Sequence, residues 1–150
     1  MNLLLDTNVF IDYLGRKEPY YSDARQIVMA AFFGDVKLWV PAQSVTDAFY
    51  VLSKYVDSQA LQSVISAAFE FISPVDLASA DLYRATQLNW KDMEDCLVSL
   101  AAEKARANYL ITRDTKGFAR SSVPVMTPSQ WITFMEKEKG LVYGEVALTE

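Results

Sequence analysis

The sequence predicts an α/β domain built on a mostly parallel sheet, and three observations carry that expectation. Short apolar runs of strand length alternate with longer segments of helical period. Leu3–Leu5 is apolar at every position, as suits a strand covered on both faces. Two acidic residues follow strand-like runs closely, Asp6 after Leu3–Leu5 and Asp114 after Leu110–Thr112. Sites in open parallel sheets form beyond the carboxyl ends of the strands.

The elements follow in order. Leu3–Leu5 stops at Asp6-Thr7-Asn8, which are turn and cap residues. Val9–Leu14 predicts a short helix closed by Gly15. From Ser22, the residues Ala24, Ile27, Val28, Ala31 and Phe32 recur on one helical face, and Gly34 stands at the usual C-terminal stop. Leu38-Trp39-Val40 predicts a second strand, ended by Pro41. Ser44 is expected to cap a helix carrying Val45, Ala48, Phe49 and Leu52, reaching Tyr55. Ser58 opens the next, with Leu61, Val64, Ile65, Ala68 and Phe69 inward. Phe71-Ile72 and Val75 flank Pro74, which confines any strand there to a sheet edge. Asp76 is expected to cap a helix bearing Leu77, Ala80, Tyr83 and Leu88. Asp92 is expected to cap another, with Cys96, Leu97, Leu100 and Ala101 facing the core. Tyr109–Thr112 and Val123–Met126 predict the last strands. Thr127-Pro128-Ser129-Gln130 is a strong helix start, with a cap hydroxyl, Pro at the first helical position and Gln at the third. That helix carries Trp131, Ile132, Phe134 and Met135 and fades near Gly140. The expected organisation is one domain over residues 1–138 and a tail over 139–150, with no repeat, low-complexity stretch or linker.

Composition narrows the chemistry. A chain of 150 residues, 51% apolar, is long enough to bury one core and too apolar to be disordered. It has no histidine, which excludes Ser-His-Asp and Cys-His catalysis and the commonest zinc sites. The net charge of −5 argues against loose electrostatic binding of nucleic acid. Cys96 is the only cysteine, so no intramolecular disulfide forms. The start lacks the basic residues and long apolar run of a secretory signal, and no stretch is long enough to span a bilayer. A soluble, cytoplasmic protein is expected.

Chemistry must therefore come from carboxylates, hydroxyls and amides, or from a metal that they hold. Asp6 admits two readings, a cap of the following helix or a site carboxylate at a strand end. Asp114, in Thr-Arg-Asp-Thr, is a turn residue or its counterpart on a second strand. If the two strands are neighbours, the carboxylates repel one another unless a cation is present, and Mg²⁺ and Mn²⁺ favour such oxygens. Asp47 flanks the apolar stripe of its helix and reads as a solvated first-turn carboxylate or as a ligand. Asp92, Glu94 and Asp95 form the densest acidic cluster, with Asp95 directly before the core-facing Cys96-Leu97. Four aspartates on two strand ends and two helix starts suit metal-dependent hydrolysis of a phosphodiester, in which the metal polarises the phosphate and acidifies water.

These residues resemble the PIN-domain ribonucleases, including the toxin subunits of VapBC toxin–antitoxin pairs. Leu-Leu-Leu-Asp6-Thr7-Asn8-Val9-Phe10-Ile11-Asp12 resembles the first motif of that family, and Ser44-Val45-Thr46-Asp47-Ala48-Phe49-Tyr50-Val51-Leu52 the second. Trp90-Lys91-Asp92-Met93-Glu94-Asp95-Cys96-Leu97 resembles the third. Tyr109-Leu110-Ile111-Thr112-Arg113-Asp114, followed by Phe118, resembles the fourth. Pro124-Val125-Met126-Thr127-Pro128 is similar to the last strand and helix start, so the resemblance runs over about residues 1 to 135. One departure is Asp47, where many members carry Glu.

The resemblance implies a three-layer α/β/α fold with a central sheet of four to five strands. It implies a Mg²⁺- or Mn²⁺-dependent endoribonuclease in which Asp6, Asp47, Asp95 and Asp114 hold the metal and metal-activated water attacks phosphorus. Thr7, Asn8, Asp92 and Thr112 are expected to orient ligands or water from behind, Asp92 also being a helix cap. RNA contacts are expected from Arg113, Lys116 and Arg16, with Lys17, Lys91 and Arg120 as further candidates. Each of these also reads as ordinary surface charge, and Trp90 as a base-stacking or a core residue. The implied partners are an RNA substrate, a second copy of the chain and a small antitoxin, with the apolar segment Ser44–Phe69 as a candidate surface. A catalytically inactive PIN-fold module binding RNA or protein is the alternative. A phosphoaspartate receiver fits poorly, since no Lys follows Pro124-Val125-Met126, and a haloacid-dehalogenase-type phosphatase needs an Asp where Asn8 stands.

Overall fold

A computed structural model describes residues 1–144. Its strands are β1 (Asn2–Leu5), β2 (Lys37–Pro41), β3 (Ile72–Val75), β4 (Tyr109–Ile111) and β5 (Val125–Met126). Its helices are α1 (Thr7–Leu14), α2 (Tyr21–Phe32), α3 (Ala42–Leu52), α4 (Ser58–Ala68), α5 (Ser79–Leu88), α6 (Met93–Lys104) and α7 (Pro128–Lys139), with a 3₁₀ turn over Thr115–Phe118. The sheet order is β3-β2-β1-β4-β5, and every pair is parallel. The mostly parallel sheet expected from sequence is thus five-stranded and wholly parallel, between two helical layers.

The apolar run at the start explains the layers. Side chains alternate across a strand, so a strand buried on both faces must be apolar throughout. Leu3 and Leu5 point into a core shared with Phe10 of α1, Ile27 of α2, Ala48 of α3, Leu61 of α4 and Trp131 of α7. Leu4 points the other way, into a core with Val98, Ala101 and Ala102 of α6. Helix α5 forms the outer side of that second layer, meeting α6 through Ala85, Cys96, Leu97 and Leu100. Among the described residues no helix is long and apolar enough to cross a membrane.

The connections position the site. The chain moves outward from β1 to β2 and β3, then returns through α5 and α6 to lay β4 against the free flank of β1. The order reverses between β1 and β4, and a crevice opens where the two connections diverge. Helix α3 leaves the carboxyl end of β2, while α6 runs back toward β4, so both start at the carboxyl edge of the sheet.

Several local expectations are corrected. Ser44 does not cap α3. Pro41 ends β2 in extended backbone and the helix starts at once, so Ser44 lies one turn inside, fully buried against α1. Asp76 does not cap α5 either. The helix begins at Ser79, and Asp81 accepts the Ala78 N–H at 2.8 Å while pairing with Lys104 at 2.6 Å. Val64 and Phe69, expected inward, are exposed, as are Phe32 at the end of the apolar face of α2 and Tyr83 on α5. Helix α3 ends at Leu52, short of Tyr55, and β5 is only Val125–Met126. Pro74 is accommodated because β3 is an edge strand.

Of the expected tail over 139–150, Lys139 is still helical and residues 145–150 lie outside the described residues. Within it Tyr143 is buried, stacked on Trp131 at 6.2 Å and donating its hydroxyl to Asp35 at 2.8 Å.

Burial separates two side chains that look alike in sequence. Leu4→Ala opens a cavity beneath a fully buried strand and is expected to cost about 2–5 kcal/mol. Val64→Ala acts on an exposed face of α4 and is expected to stay within about 0.5 kcal/mol. Denaturant midpoints measure both, and equal losses would contradict this layering.

Candidate functional site

The pairing of β1 with β4 aligns Leu5 with Ile111, so the next residues, Asp6 and Thr112, meet at the carboxyl edge. The backbone continues the pairing for one more bond, from Asp6 N–H to Ile111 C=O at 2.9 Å. Asp6 and Thr112 are both buried. The Thr112 hydroxyl donates to Asp6 Oδ2 at 2.8 Å and accepts the Asp114 N–H at 3.1 Å. One hydroxyl therefore holds the carboxylate of the first strand and the backbone of the residue that bears the second. Asp6 Oδ1 accepts the N–H of Thr7 at 2.7 Å, which also makes Asp6 the cap of α1. The cap reading and the site reading of Asp6 describe the same side chain.

Helix α6 brings the third carboxylate. Asp92 caps it by accepting the Asp95 N–H at 3.1 Å, and the first turn turns Asp95 toward the 3₁₀ segment. Gly117 of that segment has no side chain for a steric reason. A Cβ there would stand 2.5 Å from Asp95 Oδ2 and 3.5 Å from Asp114 Oδ2. The two carboxylates share the space a methyl group would fill, which brings Asp95 and Asp114 to one place. Asp6, Asp95 and Asp114 therefore converge.

Asp47 reaches the group through a neighbour that sequence did not assign. Glu94, on the first turn of α6, stands close to Asp47 and also feels Asp92 and Asp6. Ser44, one turn before Asp47, bonds to the Thr7 hydroxyl at 2.6 Å and ties α3 to α1 beside Asp6. Thr7 thus acts on the site by both its N–H and its hydroxyl. Asn8 places its Oδ1 in a buried position with no hydrogen-bond partner among the described residues. Glu94 and Gly117 were not legible as site residues, because both follow from contacts across the crevice. The acidic density at 92–95 was the only sequence signal for Glu94.

The electrostatics are those of crowded anions. Burial pushes the Asp6 carboxyl up from its ordinary value, the bonds from Thr112 and Thr7 hold it down, and Asp114 and Asp92 push it up further. Burial raises Asp95 to about 6, with added repulsion from Asp92, Asp6 and Asp114. Glu94 is raised by burial, then by the adjacent Asp47 carboxylate and by the charges of Asp92 and Asp6. The charged neighbours acting on these three groups are other carboxylates. Such a cluster favours a hard divalent cation, whose oxygen donors it supplies. Among the described residues, no three such side chains are already drawn to coordinating distance. The donor set, carboxylate oxygens alone, suits the chemistry of a hard divalent cation.

The basic candidates separate. Arg113 is spent on structure: its Nε donates to Asp12 Oδ2 at 2.7 Å, Asp12 is buried, and the guanidinium lies 4.0 Å over the Tyr20 ring. Arg16 stands past the far end of α1 from Asp6, in a groove with Tyr21, Arg25 and Phe71, and is not brought to the carboxylates. Lys116 is brought there. It lines a cleft of about 610 Å³ beside Asp95, together with Trp90, Lys91 and Arg120.

Comparison with known proteins agrees with this geometry. Residues 2–116 match the family described as PIN domain. The chain is 23% identical over 134 residues to Ribonuclease VapC1 of Aquifex aeolicus (strain VF5), which covers 86% of this chain and 92% of that protein. The fold is similar to VapBC2 from Rickettsia felis bound to a DNA fragment from its promoter, at a TM-score of 0.62 and 18% identity, covering 85% of this chain and 98% of that one. It is also similar to a toxin–antitoxin complex from Klebsiella pneumoniae, at 0.60 and 24%, covering 84% and 97%.

Two expectations follow from the geometry. In metal-free protein the folded state keeps protons on Asp95 up to about pH 6, whereas the unfolded chain releases them at the ordinary, lower value. The folded state binds more protons across that window, so stability falls as pH rises through it; Asp6 and Glu94 act in the same sense. Chelator-treated protein is expected to melt at a lower temperature at about pH 7.5 than at about pH 5.5. A rise over that interval would overturn the clustering. Separately, Arg113→Ala strands the buried Asp12 and is expected to cost about 3 kcal/mol in a denaturant titration. The exposed Lys116→Ala is expected to cost under about 0.5 kcal/mol.

Proposed function

The chain belongs to the PIN-domain family, and from that premise we propose that it is a Mg²⁺- or Mn²⁺-dependent endoribonuclease, the toxin of a type II toxin–antitoxin pair. The observation that carries the reading is the convergence of Asp6, Asp95 and Asp114 beside Thr112 and Gly117, at the switch point between β1 and β4. The resemblance to a protein named a ribonuclease supports the substrate class, and that to a toxin–antitoxin complex supports the biological role.

Asp6, Asp95 and Asp114 would hold the ion, with Asp47 and Glu94 on the α3–α6 side of the crevice. A divalent ion supplies positive charge against phosphoryl oxygens and acidifies water. The remaining work belongs to the chain. Thr112 fixes the Asp6 carboxylate by donating to Oδ2, and Thr7 fixes the other oxygen through its N–H. Asp92 holds the first turn of α6 so that Asp95 faces Gly117. The Ser44–Thr7 bond locks α3 beside α1, which sets the distance from Asp47 to Asp6. The shorter side chain at Asp47 is met by the longer Glu94 from the opposite helix. The unpartnered Asn8 oxygen is available to orient water at the base of α1.

The antitoxin and a second copy of the chain are the proposed protein partners. Exposed Tyr50, Tyr55, Val64 and Phe69 on and between α3 and α4 support an apolar contact there, beside a cleft lined by Val45, Phe49 and Ile65.

Incubation of the purified chain with RNA and Mg²⁺ or Mn²⁺ tests the reading. Cleavage is expected with either ion and lost in EDTA. Asp6→Asn is expected to lower the rate at least about a hundredfold while the protein stays folded. Cleavage that persists in EDTA, or an Asp6→Asn variant as active as the parent, would overturn the metal-nuclease reading. A folded protein that cuts no RNA with either ion would favour the binding-module alternative.

A further inference from the structure

We propose that residues 145–150 of this chain dock in the groove between α1, α2 and α4, so that the chain covers its own apolar face there. This contact stands independently of the nuclease reading.

The groove has a volume of about 310 Å³ and lies in the helical layer across the sheet from α6. Its floor is apolar. Val28 and Met29 of α2 are buried there, and Tyr13 of α1 stacks on Tyr21 at 6.3 Å. Val64 of α4 stands on its rim, 44% exposed. Two cations, Arg16 and Arg25, line the groove against one carboxylate, Glu70. Apolar surface flanked by arginines calls for an occupant that is apolar in its middle and acidic at its ends.

The chain after α7 leads toward that groove. Leu141 packs on the core, and the Tyr143 ring lies 6.4 Å from Phe33, with its hydroxyl on Asp35 just past the end of α2. Gly144, the last described residue, lies beside Gln26, where an added Cβ would stand 3.6 Å from Oε1. From Tyr143 to Gly144 the contacts thus pass from the end of α2 back to its middle. The chain runs along α2 toward its N-terminal half, where Arg25 and Tyr21 line the groove. Helix rise between Gln26 and Tyr21 is only about 8 Å, whereas a stretch of six extended residues reaches roughly 20 Å. Residues 145–150 are long enough to pass Arg25 and reach Arg16, which follows the end of α1. They read Glu-Val-Ala-Leu-Thr-Glu, apolar in the middle and acidic at both ends. In extended backbone Val146 and Leu148 point to one side, because side chains alternate. That side takes the surface of Val28, Met29 and Val64, and Glu145 and Glu150 take Arg25 and Arg16. Buried Tyr143 already fixes the start of the segment beside α2, so its docking is intramolecular and outcompetes the same segment of a second copy.

Methyl NMR spectra of the full chain and of a chain shortened to Gly144 read the docking. Shortening is expected to move the signals of Val28, Met29, Val64 and Ala67, which line the groove, and to leave those of Val98 and Ala101, across the sheet, in place. Shortening also sets a new carboxylate near Arg25, so two full-length variants separate the contact from that charge. Val146→Ser plus Leu148→Ser should reproduce the groove signals of the shortened chain. Glu145→Lys plus Glu150→Lys should do the same, and Arg25→Glu added to that pair should return part of the docked spectrum. The tail variants keep Leu141 and Tyr143, so the signals across the sheet report that the fold is intact. Groove signals indifferent to shortening, equal displacement on both faces of the sheet, or lysine variants that behave as the parent would overturn the docking. Groove signals that change with protein concentration would assign the groove to a second copy and overturn docking within the chain.

Discussion

The hydroxyl of Thr112 is the point on which the site depends. It ends a strand buried on both faces, and it bridges the carboxylate of Asp6 and the backbone of Asp114. That bridge exists only because β4 pairs with β1 in a register that brings Thr112 beside Asp6. A shift of one residue would turn Leu4 out of its core and Thr112 into one. The apolar packing on the two faces of the sheet therefore sets the geometry of the polar residues at its edge. The connection that makes β4 a neighbour of β1 also creates the crevice.

Charge is organised around this edge in two opposite ways. The carboxylates are gathered without compensation, so they repel and hold protons that ordinary carboxylates release. Burial raises their pKa values first, and mutual repulsion adds to it. The cations divide between two uses. Arg113 neutralises the buried Asp12 and anchors the loop that carries Asp114, whereas Lys91, Lys116 and Arg120 collect around one cleft. The net charge of −5 disfavours general affinity for polyanions.

Much of the site was legible in sequence because its residues sit at element boundaries. Asp6, Asp95 and Asp114 stand at strand ends or at a helix start, positions that the apolar pattern locates to within a residue or two. Asp92 was legible as a cap and Thr112 as the residue before the turn. The errors share a different cause. Ser44 looked like a cap because capping is judged from local spacing, yet it is buried by a contact with Thr7, distant in sequence. Arg113 adjoins Asp114 in the chain, but its side chain turns to Asp12 across the fold. Arg16 follows the first motif closely and is still carried away by the length of α1.

The sequence by itself determined the alternation of strands and helices, the two-sided burial of β1 and the placing of carboxylates at element ends. Those properties follow from local apolar period and from residue types. Only the tertiary structure decided which groups meet. It joined Glu94 to Asp47, emptied the space at Gly117 for Asp95 and Asp114, and separated the cations that line a cleft from those that brace the fold. Periodicity along a chain says which face of an element is buried. It carries no information about which other element that face, or the polar residue beside it, will touch.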